Sequence, residues 1–245
     1  MKRFLFFYLL AFLPFAVSAQ VGEHRSELAV GFSGGYMMST IGFTPEVPQK
    51  QHTGMSAGFT VRYTSEKYFN SICAIVGEVN WVQVGWKESI LDEDDQPIIN
   101  SVTGVAEAYQ RDMTYVHVPV FARLGWGRER KGVQFFVQAG PQMGFFLSEK
   151  TQKNYNASER PFGVVAQDTM AVENKLDYGI AAGGGFELSF PKVGHFMLEG
   201  RYYYGLGDIY GNSKRDFFAR SNFQNITIKL TYLFDIARTR NSEIK

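Results

Sequence analysis

The sequence predicts an all-β protein, an eight-stranded antiparallel up-and-down transmembrane β-barrel. Three observations predict it. Apolar and small or polar residues alternate in eight segments, the connections between these segments alternate between long and short, and the chain begins with an export signal. The chain has 245 residues, 16% of them aromatic and 25 of them glycine, a composition that favours strands and close backbone packing.

The N-terminus predicts export. Met1, Lys2 and Arg3 give a basic start, residues 4–17 are apolar, and small residues precede Gln20. We therefore expect residues 1–19 to be a cleaved signal peptide. A membrane anchor is the alternative, but the apolar run is shorter than the ~20 residues that a spanning helix needs. The residue directly after the cleavage site is Gln20 and not cysteine, so a lipidated N-terminus is not predicted.

The alternating segments give the strands in order. Side chains of successive strand residues point to opposite faces, so each segment has two rows. The hairpin 177–206 shows this most clearly, because Tyr178, Ile180 and Phe186 form an aromatic and apolar row while Gly179, Ala181 and their neighbours form a small row. The predicted strands are 27–39, 54–63, 71–86, 114–127, 133–147, 177–190, 196–206 and 222–234.

The connections between strands are sorted by length. They alternate long and short in the order 40–53, 64–70, 87–113, 128–131, 148–176, 191–195 and 207–221. Outer-membrane barrels have an even number of strands, short periplasmic turns and long extracellular loops. The pattern therefore predicts a bacterial outer-membrane barrel over residues 20–234 with both termini in the periplasm, followed by a short polar periplasmic tail, 235–245.

The volume of the side chains predicts which row faces inward. The interior of an eight-stranded barrel is only just wide enough to be filled by side chains, so we expect the small row inside and the aromatic row against lipid. A lipocalin-like soluble barrel with an apolar interior is the alternative. The outward aromatic residues would form girdles at the two membrane interfaces: Tyr36, Tyr178 and Tyr204 near the long loops, and Phe190, Phe196, Tyr232 and Phe234 near the short turns.

The predicted inward rows carry charged residues. Buried charges persist only when they are paired, so we expect a nearly balanced ion-pair network that fills the lumen, with Asp177 near the rim. A proton or ion path, or a ligand site at the rim, is the alternative; a general porin needs a wider lumen. The network comprises Arg62, Glu78, Arg123, Glu187, Glu199, Arg201 and Lys229.

No enzymatic motif is found in the sequence. The histidines of the mature chain, His24, His52, His117 and His195, belong to no catalytic or zinc-binding pattern, and we expect His117 to be a hydrogen-bond partner and not a base. The acidic run 92–95 is expected to be a solvated loop tip, because it lacks the glycine and terminal glutamate of an EF-hand calcium loop. We therefore predict a protein that is not an enzyme, with no catalytic residue, metal site or cofactor, and the sequence identifies no ligand-binding residue.

Charge and cysteine content exclude two further features. A formal net charge of +1 gives no field that would attract nucleic acid. Cys73 is the only cysteine, so no intramolecular disulfide can form.

Several short motifs, in their order and spacing, resemble the PorT-like outer-membrane β-barrel family of Bacteroidetes. They are Tyr115-Val116-His117-Val118-Pro119, Ala139-Gly140-Pro141 with Gly144-Phe145-Phe146-Leu147, Asp177-Tyr178-Gly179 with Gly183-Gly184-Gly185-Phe186-Glu187, Arg201-Tyr202 with Gly205-Leu206, and Glu78-Val79-Asn80-Trp81. The resemblance spans essentially the whole mature chain and implies an eight-stranded outer-membrane barrel. The family's namesake takes part in type IX secretion and gliding.

Two functional hypotheses follow. The first is a structural or interaction barrel, an accessory of a type IX-like secretion apparatus, that contacts outer-membrane lipid and binds protein partners through loops 87–113 and 148–176. The second is a narrow transporter or small-ligand receptor that uses the charged lumen.

Overall fold

The chain folds into antiparallel strands. The computed structural model describes residues 23–68, 71–92, 94, 96–128, 131–155, 170–211 and 218–238. The predicted signal peptide and residues 239–245 of the predicted tail lie outside these ranges. The strands are β1 (Glu23–Thr44), β2 (Gln49–Lys50), β3 (His52–Tyr68), β4 (Ser71–Ser89), β5 (Ala108–Gly127), β6 (Gly132–Lys153), β7 (Leu176–Phe190), β8 (Gly194–Gly205) and β9 (Arg220–Arg238).

Eight of these strands close into a ring. Each long strand pairs antiparallel with the next in sequence, β1 pairs with β9, and the two-residue β2 adds to β4 outside the ring. The predicted up-and-down eight-stranded β-barrel is thereby confirmed. The part of the chain that the structure describes contains no helix long and apolar enough to cross a membrane.

The two rows of each strand face as predicted over the middle of the barrel. Ile180 is 55% exposed on the outside, whereas Glu187 on the same strand is 1% exposed inside. Small inward residues leave room for larger ones opposite: a Cβ on Gly179 would lie 2.8 Å from the Tyr203 hydroxyl. The predicted girdle residues all lie in the outward rows, exposed or half-buried.

Three predicted long loops are shorter than expected because the strands continue into them. β4 runs to Ser89, β5 begins at Ala108 and β6 runs to Lys153, so the loops predicted at 87–113 and 148–176 shrink to 90–107 and 154–175. The loop predicted at 40–53 shrinks likewise, since β1 ends at Thr44 and β3 begins at His52. The outward rows of these extensions are polar, so they lack the apolar alternation from which strands are predicted, and the sequence alone predicts loops there.

The other end of the barrel differs less. β3 extends to Tyr68, β8 begins at Gly194, and β9 ends at Arg238. Residues 235–238, predicted as the start of a tail, therefore continue the last strand.

The interior is more aromatic than the argument from volume predicted. Near the long loops, side chains from the strands pack with Ile209, Tyr210 and Phe218 into one apolar cluster inside the barrel. The small row of β7 is therefore not representative of every strand, because its glycines lie opposite bulky inward residues. The buried aromatic residues on the inward faces include Phe43, Trp86, Tyr109, Tyr115, Phe121, Phe136, Tyr203 and Phe223.

Candidate functional site in the barrel interior

The predicted charged residues all lie inside the barrel. Each is at most 7% exposed, and together they form two clusters. The turn-side cluster, near the short turns, contains Arg62, Arg123 and Glu187. The central cluster contains Glu78, Glu199, Arg201 and Lys229. Asp177 is also buried but lies apart, where its carboxylate accepts a hydrogen bond from the Tyr203 hydroxyl at 2.6 Å.

Glu187 is the centre of the turn-side cluster. Arg62 Nη1 donates to both Glu187 carboxylate oxygens at 2.8 Å, and Arg123 Nη2 donates to Oε2. His195 Nδ1 lies 2.7 Å from Oε1. Arg123 also lies over the Phe136 ring, 3.8 Å from its centroid, so one cation is held by a carboxylate and by an aromatic face.

Glu78 holds the central cluster together. Arg201 Nη1 and Nη2 donate to its two oxygens at 2.9 and 3.0 Å, and Lys229 Nζ donates to Oε1 at 2.6 Å. Arg201 Nε reaches Glu199 at 2.7 Å. The two cations and two carboxylates balance in charge, and the bidentate geometry is the strong form of such a pair.

Strand register brings these groups together. Glu199 on β8 lies directly opposite Lys229 on β9, while Arg62 and Glu187 reach each other across the lumen from β3 and β7. Amide side chains donate further hydrogen bonds to the two carboxylates: Asn80 donates to Glu78, and Gln138 donates to Glu199, both at 2.8 Å.

A further ionic group, which the sequence did not reveal, continues the turn-side cluster. His195 Nε2 lies 3.1 Å from Asp235 Oδ1 and 4.0 Å from Glu27 Oε1. One nitrogen or oxygen atom from each of these three residues lies within 4.8 Å of the other two, close enough for all three to bind one metal ion. Arg238 already pairs with both carboxylates, so the group is an ion-pair cluster. His195 was predicted in a turn, and only its position as the second residue of β8 turns it inward.

Two hydrogen-bonded series in the structure contain serine, histidine and aspartate. Ser189 Oγ lies 2.8 Å from His195 Nδ1 near Asp235, and Ser39 Oγ lies 3.4 Å from His52 Nδ1, whose Nε2 is 2.6 Å from Asp112 Oδ1. Both hydroxyls are buried. Ser39 Oγ donates to the Gly85 carbonyl and accepts from the Gly85 N–H, both at 2.9 Å. Neither serine hydroxyl is accessible as a nucleophile.

Asp112 lies beyond the membrane-spanning part of β5, in the segment before Val116 where the outward row is polar. Partial burial alone would raise the pKa of its carboxyl. Hydrogen bonds from Gln110, His52 and Gln152 outweigh that effect and hold the pKa of Asp112 below its usual range.

The aromatic cap closes the lumen at the long-loop end. We define it as Phe43, Trp86, Tyr109, Tyr210 and Phe218. Phe218 packs between Phe43 and Tyr210, with ring centroids 4.3 and 5.8 Å apart. Arg111 lies beneath, 5.6 Å from the Trp86 ring, and donates to the Tyr210 hydroxyl and to Glu149, both at 2.9 Å.

A small cavity with both polar and apolar lining lies in the lumen beside the central cluster. Its lining includes Ser56, His117, Arg201, Asn225 and Lys229. The volume that the centre of a water molecule can occupy in it is about 20 Å³. As expected, His117 is a hydrogen-bond partner: its Nδ1 lies 3.1 Å from Gln142 Nε2.

Comparison with known proteins gives one family and several structural relatives. The sequence model of the family described as outer membrane protein beta-barrel domain matches residues 18–211. No curated protein matches the chain.

Solved structures that match the chain include three outer-membrane or surface proteins. Ail of Yersinia pestis, solved with the heparin analogue sucrose octasulfate, is 14% identical over 85% of this chain and 99% of its own, with a TM-score of 0.35. Neisserial surface protein A is 9% identical over 86% of this chain and 100% of its own, with a TM-score of 0.42. OprG of Pseudomonas aeruginosa is 12% identical over 87% and 97%, with a TM-score of 0.37.

Proposed function

This chain belongs to the family of outer membrane protein beta-barrel domains, and on that premise we propose that it is a structural or interaction barrel. In this proposal the signal peptide 1–19 directs export, both termini lie in the periplasm, and the long-loop end faces the cell exterior. The outward apolar rows contact lipid, and the surface beyond the membrane binds a protein partner.

The filled lumen is the observation that carries the proposal. The charge-balanced central cluster occupies the middle, the turn-side cluster occupies the short-turn end, and the aromatic cap closes the long-loop end. A lumen filled in this way favours a role on the surface of the barrel over a role in transport through it.

The long-loop end offers the surface for a partner. β1 and β6 have 22 residues each, whereas a tilted strand crosses a bilayer with about 9–11. The strands therefore project beyond the lipid and carry the connections 90–107 and 154–175. The resemblance to the PorT-like family supports an accessory role in a type IX-like secretion apparatus.

Shortening the connections tests the proposal. Replacing 92–105 by a short Gly-Ser linker should change the secreted proteins and the surface composition of the cell as deletion of the whole protein does. Outer-membrane insertion and heat-dependent gel mobility should stay unchanged. A matched control replaces the exposed Val193 in the turn at the other end with alanine. If neither this deletion nor one of 157–168 changes the secretome or the surface, the interaction role is wrong.

A narrow transporter or small-ligand receptor is the second candidate, and the lumen cavity that Arg201 and Lys229 help to line is the observation that favours it. Planar-bilayer recording of the purified protein tests the transport form. Ion-conducting steps that change in Arg201→Ala would support it, and a silent bilayer for both proteins would eliminate it.

A further inference from the structure

The cavity in the lumen is lined by buried polar atoms that no protein group satisfies. Both amide atoms of Asn225, the Ser56 hydroxyl and His117 Nε2 have no hydrogen-bond partner among the described residues. All three side chains are at least nine-tenths buried, and all three line the cavity. An unpaired buried polar group costs about 1–3 kcal/mol, and groups of this kind in native proteins are commonly satisfied by ordered water.

Lys229, which also lines the cavity, and its neighbour Glu199 have unused hydrogen-bonding capacity as well. Lys229 Nζ has three donors and makes one close contact, to Glu78 at 2.6 Å. Glu199 Oε2 lies 3.8 Å from Nζ, too far for a direct hydrogen bond, and has no other partner within the described part of the chain. A gap of this length between polar groups is the kind that a water molecule bridges.

The kinds of atom present identify the ligand. His117 Nδ1 accepts from the Gln142 amide, so in the neutral imidazole Nε2 carries the proton and is a donor. Asn225 Nδ2 and Lys229 Nζ are donors, while Asn225 Oδ1 and the Ser56 hydroxyl oxygen can accept. An anion would leave the acceptors unsatisfied and a metal ion would leave the donors unsatisfied, whereas water both donates and accepts.

The size of the cavity fits the same ligand. A water molecule needs roughly 10–15 Å³ of such volume, and the cavity measures about 20 Å³. We propose that this cavity is a built binding site for one or two ordered water molecules, which join Asn225, Ser56 and His117 to Lys229 of the central cluster. The site is independent of the partner-binding role proposed above.

Water-selective magnetisation transfer in the full chain, refolded in lipid nanodiscs, tests the inference. We expect cross-peaks between water and the side-chain amide of Asn225, and between water and the ring N–H of His117. Asn222 is the internal control, because it is equally buried on β9 but donates to the Gly205 carbonyl at 3.1 Å, and it should show none. Absence of water signals at both Asn225 and His117 would overturn the proposal.

Two further measurements separate water from other contents. Exchange of chloride for bromide should leave the Asn225 and His117 resonances in place, and a saturable shift would instead identify an anion site. Asn225→Leu should weaken the water signal at His117 and lower the thermal unfolding midpoint by a few degrees. A higher midpoint in this variant would show that the cavity is dry, since the substitution would then remove only unsatisfied atoms.

Discussion

The ion-paired middle of the lumen and the aromatic cap both fill the barrel, but different parts of the chain hold them. Arg62 and Glu187 are 125 residues apart and meet because the ring of strands closes. In the cap, Tyr210 and Phe218 come from the connection between β8 and β9 and pack onto strand residues such as Phe43 and Trp86. The first region depends on the whole barrel, and the second depends on a connection that docks onto it.

The two regions also respond differently to loss of a side chain. In the middle, each charge is the partner of another, so removing one leaves a buried charge uncompensated. In the cap, removing an aromatic ring costs apolar contact but leaves no charge behind. We therefore expect global destabilisation from the middle and local opening from the cap.

The largest expected effect is that of Glu187→Ala. The substitution leaves Arg62 and Arg123 buried without their shared carboxylate, so we expect a loss of about 3–5 kcal/mol in the free energy of unfolding, measured by urea denaturation in lipid vesicles. Glu173→Ala, at an exposed position, is the control and should leave the midpoint unchanged. A loss below about 1 kcal/mol for Glu187→Ala would contradict the view that this cluster depends on its pairs.

Phe218→Ala should have a smaller and more local effect. Its ring packs against Phe43 and Tyr210, so truncation removes apolar contacts in the cap but leaves no buried charge unpaired. We expect the loss in the free energy of global unfolding to be below that of Glu187→Ala, with most of the effect confined to the contacts of Tyr210 and Phe218. Limited proteolysis should show faster cleavage in the connection between β8 and β9, while the heat-dependent gel shift of the barrel stays the same. Loss of the gel shift would show that the cap also supports the ring of strands.

Asp112→Asn should change stability by about 1 kcal/mol or less, because the Asp112 side chain is 29% exposed. The folded-state pKa of Asp112 lies below its unfolded value, so its contribution is present above the unfolded pKa of about 4 and is lost as the pH falls through the folded pKa. Wild type should be more stable than the variant at pH 5–7, and the two unfolding curves should converge as the pH falls below the unfolded pKa and through the folded one. Glu46→Gln, at an exposed position, is the control and should unfold as wild type does. A stability difference between wild type and Asp112→Asn that grows on acidification would contradict the assigned direction of the pKa shift.

The smallest expected effect is on conductance. If the middle of the lumen is filled independently of the cap, Phe218→Ala should be as silent as wild type in planar bilayers, because the ion-pair clusters remain. Steps in Phe218→Ala alone would show that the cap is the only seal.

Parity along the strands was sufficient to predict which charged residues face inward. All seven side chains named from the sequence lie in the lumen, because a strand's period of two residues assigns each side chain to a face whatever its neighbours are. The partners could not be predicted, since pairing across the lumen depends on how far each strand is shifted along the next. Asn225 lay in a predicted inward row, but only the three-dimensional packing shows that its amide lacks a protein partner.

The sequence by itself determined the strand order, the barrel class and the face of each residue in the middle of the barrel. Those properties follow from local alternation and from the lengths of the connections. Only the tertiary structure decided that β4, β5 and β6 extend into the segments predicted as loops. It also decided that Trp86 and Phe218 close one end of the lumen, and that His195 joins Glu187 to Asp235 at the other. The physical reason is that these features depend on contacts between distant segments, where packing and charge pairing outweigh the local pattern.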